Sequence, residues 1–318
     1  ITTDDISASD VTSLKSGRKN IIINGDMQVS QRGDYTTATS ISQGAYSLDR
    51  WKTWQSNTSP TVQQTTLTTG GITYDAYKLL ATTTTASGYM EVAQLIEDKN
   101  FKYILGQEVT LSAYVQSNHP VKLSIWTNQS GSYIQSSAHP ADGSVVKLTV
   151  TYTVPSNSTA FRAYISTYDN AVGTVTSGDY FTVSLVQLEL GDTATDFEHR
   201  SYGEELALCQ RYYHRITQDG SSARAYVGTG RGENSALVNA MIPLPVTMRT
   251  VPTHSVSSLS DIFFNGTGNL DGVSSWSNDG STTTFAHISA GASATGGYAY
   301  AAGIDHSTSG WISFDAEL

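Results

Sequence analysis

The chain has 318 residues, 38% of them hydrophobic and 14% charged, with a formal net charge of −10 and a single cysteine. That length suits two domains, each with its own core, and the charged share falls well below the usual value of about 25%, with Ser, Thr and Gly filling the gap as in an extracellular or virion β-protein. The negative charge excludes general attraction to a nucleic-acid backbone, one cysteine excludes an intrachain disulfide, and no apolar run approaches the roughly 20 residues of a membrane helix.

Residues 1–19 are polar, lack a sustained period and contain no signal-peptide core, so they read as an arm or linker that docks on a neighbour. A start at Ile1 rather than Met fits a processed product or part of a longer polypeptide.

From Asn20 onward the chain changes to short runs in which β-branched and aromatic residues recur at period two. These are "ITYDAYKLL" (72–80), "YMEVAQLIE" (89–97), "EVTLSAYVQS" (108–117), "VKLSIWTN" (121–128), "VVKLTVTYTVP" (145–155), "FRAYISTY" (161–168) and "YFTVSLVQLEL" (180–190). Each fits a strand with one buried face. Strands at this spacing predict a jelly-roll or β-sandwich domain over residues 20–195.

A helix is expected within 196–216. Ser201-Tyr-Gly-Glu204 has the form of a capping box, and Leu206, Cys209 and Tyr213 follow at helical spacing with Leu208 and Tyr212 beside them, so the helix is placed from Tyr202 to Arg215. Cys209 reads as a packed small hydrophobe rather than a reactive thiol. Three such helices could pack Leu206, Cys209 and Tyr213 about a threefold axis and make a homotrimer; the alternative is a helix that plugs the end of its own sandwich.

Strand patterns resume in "ARAYVGTGR", "SALVNAMIPLP", "THSVSSLSDIFFNG", "TTTFAHISA", "GGYAYAAGI" and "GWISFDAEL", predicting an all-β C-terminal domain over 217–318, a small sandwich or barrel-like unit. In "PLPVTMRTVP" the prolines at 243, 245 and 252 should end a strand in an extended bend. "GTGRGE" (228–233) lacks the Gly-Lys-Ser/Thr ending of a phosphate loop and reads as a hairpin turn. "QRGD" (31–34) reads as a turn built on Gly33 rather than a cell-adhesion tripeptide.

Taken in order, "NIIINGDMQVSQRGDY…YSLDRW" (Asn20 to Trp51), "VQLELGDTATDFEHRSYGEELALCQRYYHR", "IPLPVTMRTVPT" and the terminal "FDAEL" resemble tail-fibre and related virion appendage proteins of bacteriophages. The resemblance implies a carbohydrate-binding-module-like jelly roll, a linker helix and a C-terminal β-domain, commonly in homotrimers. It implies a virion protein, assembled in the bacterial host cytoplasm and bound to other virion proteins; the polar residues 1–19 are the segment expected to dock it. Two roles follow: a receptor binder for host-surface polysaccharide, or a purely structural head, collar or tail decoration.

Sugar recognition pairs aromatic faces with polar groups. Trp126 and Tyr133, at and beyond a strand end in "KLSIWTNQSGSY", are the candidates in the first domain; Trp276, Tyr298, Tyr300 and His306 are those of a distal tip in the second. Trp51 and Trp54 are expected to pin the first strand to the core, with Asp49 and Arg50 as a local pair. Related jelly rolls hold a structural calcium near the first strand, for which "NGDMQ" offers Asn24 and Asp26, although Gln28 stands where an acidic ligand would help. No histidine pair has zinc spacing, and no segment carries a catalytic signature such as a Gly-x-Ser-x-Gly elbow, so neither a cofactor nor catalysis is expected.

Overall fold

The period-two patterns become strands, and the two α-helices among the described residues are short. The computed structural model describes residues 18–84, 87–167, 174–218, 224–266, 270–278, 280–291, 295–305 and 310–318. The chain divides into two units, Ile1–Tyr202 and Gly203–Leu318. Most of the predicted N-terminal arm and His306 lie outside the described residues.

The first unit contains β1 (Thr39–Ser40), β2 (Lys52–Ser56), β3 (Pro60–Thr69), β4 (Ile72–Ala81), β5 (Tyr89–Ile96), β6 (Glu108–Ser117), β7 (Lys122–Thr127), β8 (Ile134–Gln135), β9 (Val145–Thr153), β10 (Phe161–Ser166) and β11 (Tyr180–Leu190), with α1 (Asp98–Phe101) between β5 and β6. They form a six-stranded sheet in the order β1-β3-β4-β11-β6-β9 and a five-stranded sheet in the order β2-β5-β10-β7-β8. All pairings are antiparallel, and the two inner faces share one core, giving a jelly-roll sandwich. Val62, Leu79, Leu111 and Val183 enter that core from the larger sheet and Val92, Leu123, Ile125 and Ile165 from the smaller. Alternation along β7 thus sends Leu123 and Ile125 inward and leaves Lys122, Ser124 and Trp126 on the opposite face.

The segment before β1 forms no named strand. Backbone hydrogen bonds tie it to β11, from Ile21 N–H to the Leu188 carbonyl at 2.9 Å and from Val186 N–H to the Gly25 carbonyl at 2.8 Å, and side chains including two asparagines and an arginine add to them. Asn20 donates from its amide to the Val186 carbonyl at 3.1 Å and accepts from the Leu188 N–H at 3.1 Å, while its own N–H donates to Glu198 Oε2 at 2.8 Å. Arg200 Nη1 donates to the Ile22 carbonyl at 2.9 Å. Asn24, at φ 56°, donates to the Val29 and Asp49 carbonyls at 2.9 and 3.0 Å and accepts from the Val29 N–H at 2.9 Å. At Gly25 the need is space: a Cβ there would stand 2.2 Å from the Val186 carbonyl oxygen, where β11 is irregular between Ser184 and Gln187.

In the second unit α2 (Tyr202–Gln210) is followed by β12 (Tyr213–Thr217), β13 (Arg224–Asn234), β14 (Leu237–Pro243), β15 (Thr253–Val256), β16 (Ile262–Asn265), β17 (Leu270–Gly272), β18 (Ser275–Asn278), β19 (Phe285–Gly291), β20 (Ala299–Asp305) and β21 (Trp311–Asp315). A three-stranded sheet β12-β21-β15 and a seven-stranded sheet β17-β16-β20-β13-β14-β19-β18 share a core that includes Val238, Ile242, Ile288, Ile304, Ile312 and Phe314. The helix stops at Gln210, short of the expected Arg215, and Tyr213 opens a strand instead of closing a helix. The reason is tertiary: Tyr213 to Thr217 pair with Asp315 to Trp311, a ladder that further helical turns would forfeit.

"GTGRGE" is not a turn either. It lies inside β13, where its glycines admit neighbouring backbone: a Cβ at Gly228 would be 2.5 Å from the Met241 carbonyl oxygen and one at Gly230 2.6 Å from that of Asn239. β14 does end at Pro243, as its prolines require. Arg249 beyond it donates from Nε and Nη2 to the Ala316 and Glu317 carbonyls, both at 2.8 Å, fastening the proline segment to the chain terminus. Among the described residues no helix is long and apolar enough to cross a membrane.

Candidate functional site

The outward face of the five-stranded sheet gathers aromatic and charged side chains from four strands. Register places Trp54 of β2 opposite Glu91 of β5, which faces Ser166 of β10; one pair further along, Tyr164 faces Ala93 and Ser124; one further still, Arg162 faces Leu95 and Trp126. Trp54, Tyr164 and Trp126 therefore lie on a diagonal across the sheet, on the order of 20 Å long by strand spacing and rise.

Contacts along this diagonal are direct. The Trp54 and Tyr164 rings are 5.9 Å apart. Tyr133, from the loop after β7, meets Tyr164 edge-on at 5.3 Å. The Arg162 guanidinium lies 4.7 Å from the Trp126 ring centroid and donates to Tyr164 Oη at 3.4 Å. Lys52 Nζ lies 5.2 Å from the Tyr46 ring and 5.3 Å from that of Trp54. Trp54, Trp126 and Tyr133 are half-buried, so their exposed parts remain available, while Tyr164 forms the floor at 3% exposure.

Glu91 sits in this aromatic setting at 6% exposure and accepts a 2.8 Å hydrogen bond from Ser166 Oγ. Burial pushes its carboxyl up to about 7, against the opposing pull of Ser166 and the Arg162 charge. Burial raises the Tyr164 hydroxyl as well, and it raises that of Tyr133 together with the nearness of Tyr164 and Glu91. The face thus offers flat apolar surface, a cation held by stacking, and a carboxyl that keeps its proton up to near-neutral pH.

Trp126 and Tyr133 were legible as strand-end aromatics. Trp54, Tyr164, Arg162 and Glu91 were not, although the signal existed: in "DRWKTW" two tryptophans three residues apart must occupy opposite faces of one extended segment. Trp51 is the inner one, fully buried, with Nε1 donating to the Asn24 carbonyl at 2.8 Å. Asp49 accepts from the Gln31 N–H at 2.5 Å and from its side-chain amide at 3.0 Å, buttressing the same motif.

The other predicted residues are placed differently. Asn24 directs its amide to backbone groups, and Asp26 accepts from Gln28 Nε2 at 2.8 Å with its carboxyl raised by burial. Among the described residues no cluster of three or more acidic, histidine or cysteine side chains converges on a metal-sized site. In the second unit Trp276 donates from Nε1 to His254 Nδ1 at 2.8 Å and meets that ring edge-on at 5.6 Å. Tyr300 is buried and its Oη accepts from the Thr295 N–H at 2.8 Å, whereas Tyr298 is exposed. Cys209 and Tyr213 are buried and Leu206 is half-buried.

No model of a known protein family matches the chain, and no curated protein matches it. Solved structures resemble the chain only at low similarity. The enzymatically active domain of tailspike protein 4 of bacteriophage CBA120 has 13% identity and a TM-score of 0.35 over 54% of this chain and 21% of its own, so the likeness spans about a fifth of that protein. A point mutant of the family 29 carbohydrate-binding module CBM29-2 has 13% identity and a TM-score of 0.27 over 48% of this chain and 91% of that one. The N-terminal tandem of family 22 carbohydrate-binding modules from Paenibacillus barcinonensis Xyn10C has 12% identity and a TM-score of 0.32 over 91% of this chain and 99% of its own.

Proposed function

We propose that the protein binds a glycan on the outward face of the five-stranded sheet. The observation that carries this reading is the diagonal of Trp54, Tyr164 and Trp126, flanked by Tyr133, Arg162 and Glu91. Aromatic faces supply area for the C–H side of sugar rings at low entropic cost, and the polar groups between them address hydroxyls. Binding rather than cleavage is the proposal because the outward positions of β2, β5, β7, β8 and β10 hold one carboxyl, Glu91, and glycoside hydrolysis takes two.

The order of motifs from Asn20 to the C-terminus supports the wider reading of a bacteriophage tail fibre or other virion appendage, docked through residues 1–19, assembled as a homotrimer and directed at host-surface polysaccharide. Three copies would sum weak contacts into useful avidity. The decisive experiment measures attachment of purified protein, sized by light scattering, to intact candidate host cells before and after their surface polysaccharide is stripped. Attachment lost on stripping and in Trp126→Ala supports the proposal. Absence of attachment across hosts that the parent virus infects would favour a structural decoration.

A further inference from the structure

The charge of the aromatic face runs against that of the chain. In a protein of net charge −10, the outward positions of the five-stranded sheet carry Lys52, Lys122 and Arg162 against the single acid Glu91. Glu91 cancels little of that positive charge below neutral pH, because burial raises its carboxyl to about 7 against the opposing pull of Ser166 and Arg162.

Arg162 has donors to spare. A guanidinium carries five N–H donors in a planar fork matched to a carboxylate, yet among the described residues this side chain makes one hydrogen bond, the 3.4 Å contact with Tyr164 Oη, and its Nε is buried with no partner. Its contact with Trp126, the guanidinium carbon 4.7 Å from the ring centroid, holds the group over the indole in advance, which lowers the ordering cost of binding. Lys52, held over Tyr46 and Trp54, places a second cation toward the other end of the diagonal.

Resting on the glycan-binding reading, we propose that the ligand is an acidic polysaccharide, a chain of carboxylate-bearing sugars, and that Arg162 is the residue that reads the carboxylate while Trp126 and Trp54 hold neighbouring rings. The positive face then selects its ligand by charge and geometry together, since an ester or a primary alcohol at the same sugar carbon offers no anionic partner to the fork.

The test uses the full chain and three acidic polymers, polygalacturonate, alginate and hyaluronan, each beside its carboxyl-reduced counterpart, with affinities read by titration calorimetry and affinity electrophoresis. At least one acidic polymer is expected to bind about 10-fold or more tightly than its reduced form, the equivalent of one charge-assisted hydrogen-bond pair, and the margin should shrink as salt is raised. Arg162→Gln should bring the two affinities together while keeping residual binding, and Arg162→Lys should restore only part of the preference. Lys52→Gln, with folding of every variant checked by thermal melting, should narrow the margin by a smaller factor and keeps the test open if the Arg162 variants do not fold. Equal binding of acidic and reduced polymers, or a preference untouched by Arg162→Gln and Lys52→Gln alike, overturns the acidic ligand and leaves glycan binding standing. Absence of binding to any polymer of either kind overturns both.

Discussion

Arg162 and Trp126 face each other across the β10–β7 register, guanidinium over indole at 4.7 Å. The pair is built on an outward face, so its loss should be felt in binding and hardly in folding. Trp126→Ala is expected to reduce glycan attachment at least tenfold with a small change in melting temperature. Trp51→Ala, by contrast, empties a fully buried site and should destabilise the first unit by about 3–5 kcal/mol. Parallel melting and binding curves separate the two; equal damage from both would contradict the assignment of faces.

Asn24 should be intolerant of even modest change. Its side chain makes three hydrogen bonds to backbone groups, and Asn24→Ala leaves those partners without it at a cost of about 1–3 kcal/mol for each buried group that stays unsatisfied. Gly25→Ala should fail more severely, because the new methyl would meet the Val186 carbonyl. Urea unfolding of the two variants gives the order directly.

The Glu91 carboxyl, raised from 4.5 to about 7, predicts a pH-dependent stability of known sign. Between these values the folded protein keeps a proton that the unfolded chain releases, so the contribution is whole below about pH 4.5 and lost as pH rises through about 7. Glu91→Gln has no carboxyl to ionise, and its melting temperature should gain on wild type between pH 5 and pH 8. A gap that is constant across that range would show that Glu91 is ordinary.

His214 in the second unit works in the opposite direction. Burial pushes its pKa from 6.5 down to about 4, so the folded form holds the ring neutral where the unfolded chain binds a proton. The associated stability is whole above about pH 6.5 and disappears as pH falls through about 4. Acid titration followed by calorimetry should show the loss, and His214→Gln should blunt it.

The proposed trimer is tested at Leu206, which is half-buried within its own chain and leaves part of its apolar surface exposed. Leu206→Asp should convert a trimer to monomers by light scattering if the helices associate there. A trimer that survives the substitution places association elsewhere.

Strands with strong alternation were legible to the residue: β6 and β11 coincide with "EVTLSAYVQS" and "YFTVSLVQLEL". β3 escaped notice because Thr and Gln occupy most of "PTVQQTTLTT" and only Val62 and Leu67 supply fully buried large apolar side chains. The helix end was misjudged because Tyr212 and Tyr213 satisfy a helical spacing and a strand equally well, and only the distant β21 decides between them. The candidate site was half visible for the same reason. Trp126 announces itself locally, whereas its companions Tyr164, Arg162 and Glu91 sit in three-dimensional register from strands far apart in the chain and look like ordinary strand residues one at a time.

The Asn20–Glu198 and Arg200–Ile22 hydrogen bonds have a mechanical meaning. They tie the entry of the first unit to its exit, so tension pulled along the polypeptide is met at a clasp between the two ends before it reaches the sandwich. Force transmitted past the first unit would then run between Asn20 and Arg200, and the sheet that carries the aromatic diagonal would begin to stretch only after those bonds break.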